Sequence, residues 1–178
     1  MDTKQKGDIA EQAAILEGLK RGWGVLRPIG DRLPYDLVFD ISGALIRVQT
    51  KLTWFYEPTQ CYLLDNRRTK TNRRRMIRDS YKESDFDFAL AYLEDRNLFY
   101  VFPVSVFIAY AGQITIVESD KRQRKPRSAI YRDAWELISL WAASRETLMR
   151  QPVKVGEASR SGDPEPSSDL RVREGVET

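Results

Sequence analysis

Apolar residues near the start of the chain recur at the spacing of an α-helix. Between residues 4 and 21 they form a row in which members are three or four positions apart. The row consists of Ile9, Ala13 and Leu16, with Leu19 beside them. This pattern predicts an amphipathic helix whose apolar row faces the core. Gly22 follows directly, at a position where glycine commonly caps a helix C-terminus.

Glu11 lies on another side of this predicted helix, and its neighbours one and two turns away are small. These neighbours are Gly7, Ala14 and Gly18. Small residues allow a helix backbone to approach its packing partner closely. We therefore expect this side of the helix to pack against the domain and to bring the Glu11 carboxylate with it.

Period-two patterns and turn residues predict three strands after the helix. The first covers residues 23–27 and ends at Pro28, and residues 28–34 form a loop. Strands at 35–41 and 44–53 then flank Ser42 and Gly43, a two-residue turn of the commonest hairpin length. In that register paired residue numbers sum to 85, so Asp36 lies opposite Gln49 unless a bulge shifts the pairing.

The rest of the chain predicts further strands and a closing helix. We expect strands at 61–64, 86–93, 97–104 and 114–117, and a helix at 128–149 with Ser128 as its N-cap. The apolar stripe of this helix would consist of Ile130, Ala134, Leu137, Ile138 and Trp141. The predicted fold class is α/β or α+β, with a central mixed sheet flanked by helices. We divide the chain into a domain at 1–150 and a disordered tail at 151–178, where large apolar residues are few.

The composition narrows the chemistry that such a domain can perform. The chain has no histidine, which excludes imidazole catalysis and zinc sites that use histidine, and its one cysteine, Cys61, excludes a disulfide framework. A single cysteine fits a reducing cytoplasm. No apolar run reaches the length of a membrane helix, so we expect no membrane association. Residues 1–150 hold 25 basic and 20 acidic side chains, and this positive charge suits a polyanionic partner.

Three polar side chains are predicted to converge on one face of the hairpin. Gln49 and Lys51 are two positions apart on a strand and so point the same way, and the predicted register adds Asp36. Ala44, Ile46 and Val48 point to the other side, into a core. Carboxylate and amide oxygens can hold a hard cation such as Mg²⁺, and a lysine can stabilise charge on a phosphate. The Thr50 carbonyl is a candidate backbone ligand.

These residues resemble the PD-(D/E)xK nuclease superfamily, which includes many restriction enzymes. Pro34-Tyr35-Asp36 is similar to its P-x-D element, Gln49-Thr50-Lys51 to (D/E)-x-K, and Glu11 to the acidic residue that many members carry on the first helix. More narrowly, residues 4–140 resemble the group I intron homing endonucleases built on this fold. The resemblance implies a restriction-endonuclease-like core, a Mg²⁺-dependent endodeoxyribonuclease (with Mn²⁺ as a substitute), and Glu11, Asp36, Gln49 and Lys51 as its catalytic residues. Glu11, Asp36, Gln49 and the Thr50 carbonyl would hold the metal.

The resemblance also implies a mode of action. Homing enzymes cut both strands of double-stranded DNA at a long, nearly palindromic site, which requires a homodimer or a dimer of dimers. The chain departs from the family motif at Gln49, because glutamine carries no charge and one anionic ligand is lost. Glu11 can compensate for that loss, or the metal binds more weakly.

A basic segment supplies a candidate DNA-contacting surface within an excursion from the sheet near residues 55–82. Residues 67–78 hold seven cations and no acid: Arg67, Arg68, Lys70, Arg73, Arg74, Arg75 and Arg78. Such a segment can lie along a groove and contact phosphates and guanine edges. Its alternatives are a solvated loop or a disordered arm. A second basic run at 121–127 is better interpreted as a solvated connection, and Trp54, Phe55 and Tyr56 as core or interface residues.

Simpler interpretations and other functions stay open at this point. Asp36 and Lys51 can be a surface ion pair of little energetic consequence, and Gln49 and Glu11 can be solvated side chains. Among functions, a homing-type endonuclease stands first. A nuclease of the same fold that cuts branched DNA, such as a junction resolvase, is the second hypothesis. The third is a DNA-binding module that has lost catalysis through Gln49, and RNA remains a possible ligand of the basic run.

Overall fold

The N-terminal helix and its cap form as the sequence predicts. In the computed structural model, helix α1 spans Thr3–Lys20 and the chain then turns through Gly22, whose φ is 75°. The Gly22 N–H donates to the Leu19 carbonyl at 2.9 Å and the Trp23 N–H to the Gly18 carbonyl at 3.1 Å. These two bonds satisfy carbonyls at the helix end, in the pattern of a Schellman motif.

Helix α1 packs on the sheet mainly through its small residues, and of the predicted apolar row only Ile9 and Ala13 lie partly buried against the core. Leu16 and Leu19 are 53% and 56% exposed, whereas Ala10 and Ala14 are fully buried. Gly18 lies against Phe39 so closely that a Cβ at this position would be 2.7 Å from Phe39 Cε1. The small residues therefore face the sheet because its large aromatic side chains already fill the space beneath the helix.

The structure describes residues 3–30, 32–72, 75–110, 112–118 and 126–149. The predicted tail at 151–178, Arg73, Arg74 and most of the 121–127 run lie outside these residues. The described residues form ten strands in chain order: β1 (Gly24–Leu26), β2 (Leu37–Ile41), β3 (Ala44–Leu52), β4 (Trp54–Tyr56), β5 (Cys61–Asp65), β6 (Arg67–Asn72), β7 (Arg75–Ser80), β8 (Phe88–Leu93), β9 (Leu98–Pro103) and β10 (Gln113–Ile116). Two further helices are α2 (Val104–Ile108) and α3 (Glu136–Met149).

A mixed five-stranded sheet forms the centre of the domain, in the order β1-β2-β3-β8-β9. Strand β3 is antiparallel to β2 and parallel to β8. The hairpin register is confirmed, because Leu37 pairs with Val48 and Ile41 with Ala44. Ser42 and Gly43 both have positive φ, 54° and 88°, as a tight hairpin turn of the type I′ geometry requires.

The excursion after β3 forms two smaller sheets. Strands β10, β5 and β4 make a three-stranded antiparallel sheet, so the predicted strand near 114–117 joins this sheet and not the central one. Strands β6 and β7 pair with each other as a two-stranded hairpin. The basic segment thus has regular backbone pairing over Arg67–Asn72 and Arg75–Ser80, which contradicts the alternative of a disordered arm.

Two apolar cores cover the two faces of the central sheet. One lies under α1 and α3 and contains Phe39, Ile46 and Val48. The other joins β8 and β9 to α2 and to the three-stranded sheet, and contains Tyr81, Phe86 and Phe107. None of the described helices is both long and apolar enough to cross a membrane.

The closing helix begins later than predicted. Residues Arg127–Tyr131 form a 3-10 helix that includes Ser128, and α3 starts only at Glu136. Between them Arg132 bridges to Tyr100, and the Asp133 N–H donates to the Phe99 carbonyl at 2.7 Å. These bonds to strand β9 hold the chain in a non-helical conformation. Ile130, which was predicted to lie in the apolar stripe, is consequently exposed.

Candidate active site

The candidate site forms where strand β3 extends beyond its partner β2. Strand pairing ends at Leu37 and Val48, although the Asp36 N–H still donates to the Val48 carbonyl at 2.9 Å. One residue further along β3, the Thr50 N–H donates at 2.8 Å to the carboxylate of Asp36. The side chain of Asp36 thus accepts a bond that a neighbouring strand would otherwise accept, and it is fixed at the sheet edge.

The same oxygen of Asp36 collects two more hydrogen bonds. Oδ2 accepts from the Thr50 hydroxyl at 2.8 Å and from the Gln49 amide nitrogen at 2.5 Å. Gln49 and Thr50 are only 8% and 7% exposed, so these polar groups are held in a largely dry environment. The structure therefore brings Asp36 and Gln49 together as the hairpin register predicts.

The amide nitrogen of Gln49 lies between two oxygens that face the same point. Besides Asp36 Oδ2, it donates to the carbonyl of Thr50 at 3.0 Å. A positively polarised NH₂ group thus lies where a carboxylate oxygen and a backbone carbonyl converge. Hard cations select such oxygen donors, so the donor set fits a divalent metal.

Glu11 joins these residues from α1. It lines a cleft of about 490 Å³ together with Asp36, Gln49, Thr50 and Lys51. Its carboxylate forms a salt bridge with Arg27 Nη2 at 2.5 Å. Burial raises the pKa of Glu11, and the nearby charge of Asp36 raises it further, while Arg27 opposes both effects. Two carboxylates therefore share one cleft at some electrostatic cost, which a cation between them would relieve.

Lys51 points from β3 toward the basic hairpin. Its ammonium donates to the Arg67 carbonyl at 3.2 Å and lies 5.1 Å from the ring centroid of Tyr81. Burial lowers the pKa of Lys51, and the charges of Asp36 and Asp65 raise it in part. The lysine is thus a desolvated cation at one end of the cleft that holds the carboxylates.

The ligand set depends on neutral oxygens as well as on charge. Among the residues that the structure describes, no three acidic or cysteine side chains cluster closely enough to hold a metal by themselves. Glu11 and Asp36 supply the two carboxylates of the cleft. The Thr50 carbonyl and the Gln49 amide are the neutral groups beside them.

The described cations of the basic segment fall into two groups. Arg67 is paired with Asp65 at 3.0 Å, and Arg68 donates to the carbonyls of Arg32 and Leu33 at 3.2 and 3.1 Å. Lys70, Arg75 and Arg78 belong to the hairpin strands β6 and β7. At least two of the seven predicted DNA contacts therefore have partners within the protein.

Two residues of the site were not found from the sequence. Arg27 binds Glu11 across 16 positions of the chain, and Tyr81 contacts Lys51 across the whole excursion. Neither residue has a periodic or motif signal, because both meet the site only through packing. Trp54 also lines the cleft, and Trp54, Phe55 and Tyr56 on β4 are all exposed, so these three are not core residues and their alternative role at an interface stays a prediction.

Comparison with known proteins gives evidence on this site that is independent of its geometry. A model of the PD-(D/E)XK endonuclease family matches residues 1–138 of the chain. Among solved structures, the chain is similar to a bacterial homing endonuclease, I-Ssp6803I, with 60% sequence identity and a TM-score of 0.78. That match covers 82% of this chain and 99% of the other. A search of curated proteins found no match.

Proposed function

The chain belongs to the PD-(D/E)XK endonuclease family, and on this basis we propose that it is a homing-type endonuclease that cuts double-stranded DNA with Mg²⁺. The observation that carries the proposal is the convergence of the Asp36 carboxylate and the Thr50 carbonyl on the Gln49 amide, with Glu11 in the same cleft. The similarity to a bacterial homing endonuclease supports the homing-type activity.

Glu11, Asp36, Gln49 and the Thr50 carbonyl are the groups that would hold the metal, and Mn²⁺ has the same preference for oxygen ligands. A divalent cation supplies Lewis acidity toward the phosphate and lowers the pKa of a bound water. Gln49 must turn its amide oxygen, in place of its nitrogen, toward such a cation, since the nitrogen now faces Asp36.

Lys51 supplies the positive charge of the proposed mechanism. Its partly desolvated ammonium can bind a phosphate oxygen and stabilise the negative charge that develops there during hydrolysis. Because the site is largely shielded from water, this interaction is stronger than it would be on an open surface. Glu11 and Asp36 have acceptor oxygens that can also orient a water molecule in the cleft.

We propose an assembly of two or four copies acting on a long, nearly palindromic DNA site. One cleft of this kind serves one strand, so cutting both strands at a symmetric site calls for two copies related by a two-fold axis. A homodimer meets this requirement, and a dimer of dimers meets it twice. The nuclease unit of each copy would be residues 1–150, with 151–178 as a tail. The buried, unpaired Cys61 is consistent with a reducing cytoplasm.

The basic hairpin is the proposed contact with the DNA backbone. With seven phosphate contacts, a plot of log Kd against the logarithm of the salt concentration would have a slope of magnitude about 6, at ~0.9 per contact. Because Arg67 and Arg68 have partners within the protein, we expect about five contacts and a slope magnitude of about 4.5. Titration of a fluorescent duplex at several salt concentrations measures this slope.

A direct test starts from a pool of duplexes with a randomised central region. The protein is incubated with the pool in about 5–10 mM Mg²⁺, and the ends of the cut duplexes are sequenced. We expect one long site with approximate two-fold symmetry to be recovered. Asp36→Ala and Lys51→Ala should abolish cutting. Arg132→Ala is the control and should still cut, because Arg132 binds Glu118 and does not line the cleft.

Two results would replace the proposal by another. Salt-dependent duplex binding without any uptake of Mg²⁺ or Mn²⁺ in calorimetry would indicate a DNA-binding module that has lost catalysis. Faster cutting of a four-way junction than of any linear duplex would indicate a structure-specific nuclease of the same fold. Equal cutting by Lys51→Ala and the parent would contradict the assignment of Lys51.

A further inference from the structure

The ammonium of Lys51 is held by both ends of the basic hairpin. Its hydrogen-bond acceptor is the carbonyl of Arg67, the first residue of β6. Its aromatic partner, Tyr81, directly follows Ser80, the last residue of β7. The two contacts of one cation are therefore separated by the whole hairpin in sequence but meet at its base in space.

The ring of Tyr81 is well suited to hold a cation in one place. It is only 6% exposed, and it packs at 5.0 Å against Phe86 and at 6.1 Å against Phe107, measured between ring centroids. Burial raises the pKa of its phenol, so the ring stays neutral. A neutral ring attracts a cation through its quadrupole, and this attraction is stronger where water is excluded.

These contacts matter because the Lys51 ammonium lies at the end of a flexible side chain. Four rotatable bonds separate the ammonium of a lysine from its backbone, so β3 alone fixes the direction of the side chain but not the location of its charge. The Arg67 carbonyl supplies one fixed point and the face of the Tyr81 ring a second. Together they restrict the ammonium to the end of the cleft that faces the hairpin.

We propose that Tyr81 is a positioning residue for hydrolysis, which holds the Lys51 ammonium through the face of its ring and links it to the DNA-contacting hairpin. This inference rests on the proposed function, since it assumes that Lys51 acts on the scissile phosphate. It predicts that the ring matters and that the hydroxyl does not. It also predicts that the ring affects the rate of cutting more than the affinity for DNA.

The test uses the full chain and a duplex that carries the site recovered from the randomised pool. Tyr81→Leu removes the ring but keeps an apolar side chain of similar bulk, and Tyr81→Phe keeps the ring and removes the hydroxyl. Phe102→Leu is the matched control, because it removes a buried ring from the same core, and the aromatic partners of that ring are Tyr100, Phe107, Tyr110 and Tyr131. Single-turnover cutting rates are measured in Mg²⁺, and duplex affinities by anisotropy in Ca²⁺.

We expect Tyr81→Leu to cut about tenfold more slowly than the parent with little change in duplex affinity, as the loss of one desolvated cation–π contact implies. Tyr81→Phe should retain the parental rate, and Phe102→Leu should lower the melting temperature but not the rate. Parental cutting by Tyr81→Leu would overturn the inference. So would an equal loss of rate in Phe102→Leu, or a loss in Tyr81→Phe as large as in Tyr81→Leu. Failure of the proposed function is distinct from these outcomes, because the parent itself would then not cut.

Discussion

The carboxylate of Asp36 receives three donors on one oxygen, and these donors come from two consecutive residues of β3. Such bonds fix the carboxylate at the edge of the sheet more firmly than a single contact would. The residue that completes the arrangement, Gln49, is neutral and uses its nitrogen as the donor. The Gln49 nitrogen thus lies at the point where the Asp36 carboxylate and the Thr50 carbonyl converge.

Replacing Gln49 by glutamate tests this interpretation of the amide. Without metal, Gln49→Glu would put two carboxylates at hydrogen-bond distance and remove the amide donor between them, so we expect a loss of about 1–3 kcal/mol of stability. The melting temperature should fall by roughly 5 °C in EDTA. Millimolar Mg²⁺ should raise it by more in Gln49→Glu than in the parent, because the new carboxylate is a better ligand.

The control for this prediction is Gln12→Glu, the same chemical change at an exposed position of α1. Its melting temperature should stay within about 1 °C of the parent with or without Mg²⁺. A Gln49→Glu variant that melts like the parent in EDTA would mean that the amide of Gln49 is not needed to bridge Asp36 and Thr50.

The raised pKa of Glu11 predicts how stability depends on pH. In the folded protein burial and the charge of Asp36 hold this pKa above its ordinary value of 4.5, so the folded state binds the proton more tightly than the unfolded state. Stability therefore decreases as pH rises from about 4.5 through the raised pKa. In EDTA, we expect Glu11→Gln to melt at a higher temperature than the parent at pH 8, and the difference to disappear below pH 4.5.

Glu17 on the same helix provides a control of opposite sign. Hydrogen bonds from Lys20 and Arg21 lower the pKa of Glu17, so its charge stabilises the fold above its ordinary pKa and this contribution is lost as pH falls through the lowered value. Glu17→Gln should accordingly melt at a lower temperature than the parent at pH 8. If both variants shifted in the same direction, the electrostatic explanation for Glu11 would be wrong.

Among the elements, α1 positions Glu11 through the side that carries its smallest residues. Ala10, Ala14 and Gly18 bring the helix backbone onto the sheet, and this close approach places Glu11 at the edge where β3 extends beyond β2. The exposed Leu16 and Leu19 take no part in it. The position of a site residue on a helix is thus set by what the opposite strand allows and not by which side of the helix is most apolar.

A methyl group at position 18 should separate α1 from the sheet. Gly18→Ala places its Cβ 2.7 Å from Cε1 of the fully buried Phe39, which cannot move without repacking the core. We expect a net loss of about 1–3 kcal/mol, although alanine favours helix. Gly7→Ala on the same helix meets no atom within 4 Å and should be neutral or stabilising by up to about 1 kcal/mol. Urea unfolding of both variants measures the two effects, and equal stabilities would contradict the close packing of α1.

At the scale of the whole molecule, the cleft lies where α1, the edge of the central sheet and the base of the basic hairpin meet. Glu11 comes from α1, Asp36 from the loop directly before β2, and Lys51 from β3. The ends of the hairpin contact Lys51, so the part proposed to bind DNA is physically joined to the part proposed to cut it. Each copy contributes one set of these three residues, which leads to a prediction about the assembly.

Assemblies that contain one active and one inactive copy should nick DNA. We propose to co-express tagged Lys51→Ala copies with untagged parental copies and to isolate mixed assemblies by the tag. On a plasmid that carries the target, they should give mainly nicked circles, whereas the parental assembly should give linear product. Light scattering gives the number of copies. Linear product from mixed assemblies at the parental rate would mean that one copy cuts both strands.

The sequence by itself determined the features of the fold that depend only on residues close together in the chain. Ser42 and Gly43 set a two-residue turn, and that turn fixes which residues of β2 and β3 face each other and brings Asp36 to Gln49. Gly22 likewise ends α1 where predicted, because a helix C-terminus needs a residue of positive φ. Such features involve few residues, and their geometry is nearly the same in any protein.

Only the tertiary structure decided which residues complete the site. Arg27 and Tyr81 reach Glu11 and Lys51 from distant parts of the chain, and the contact with Phe39 sets how closely the small residues of α1 approach the sheet. In the same way bonds to β9 delay α3 until Glu136, although the spacing of apolar residues favours an earlier start. Period and turn chemistry describe one segment at a time, whereas these contacts depend on how the volumes and hydrogen-bonding groups of separate segments fit together.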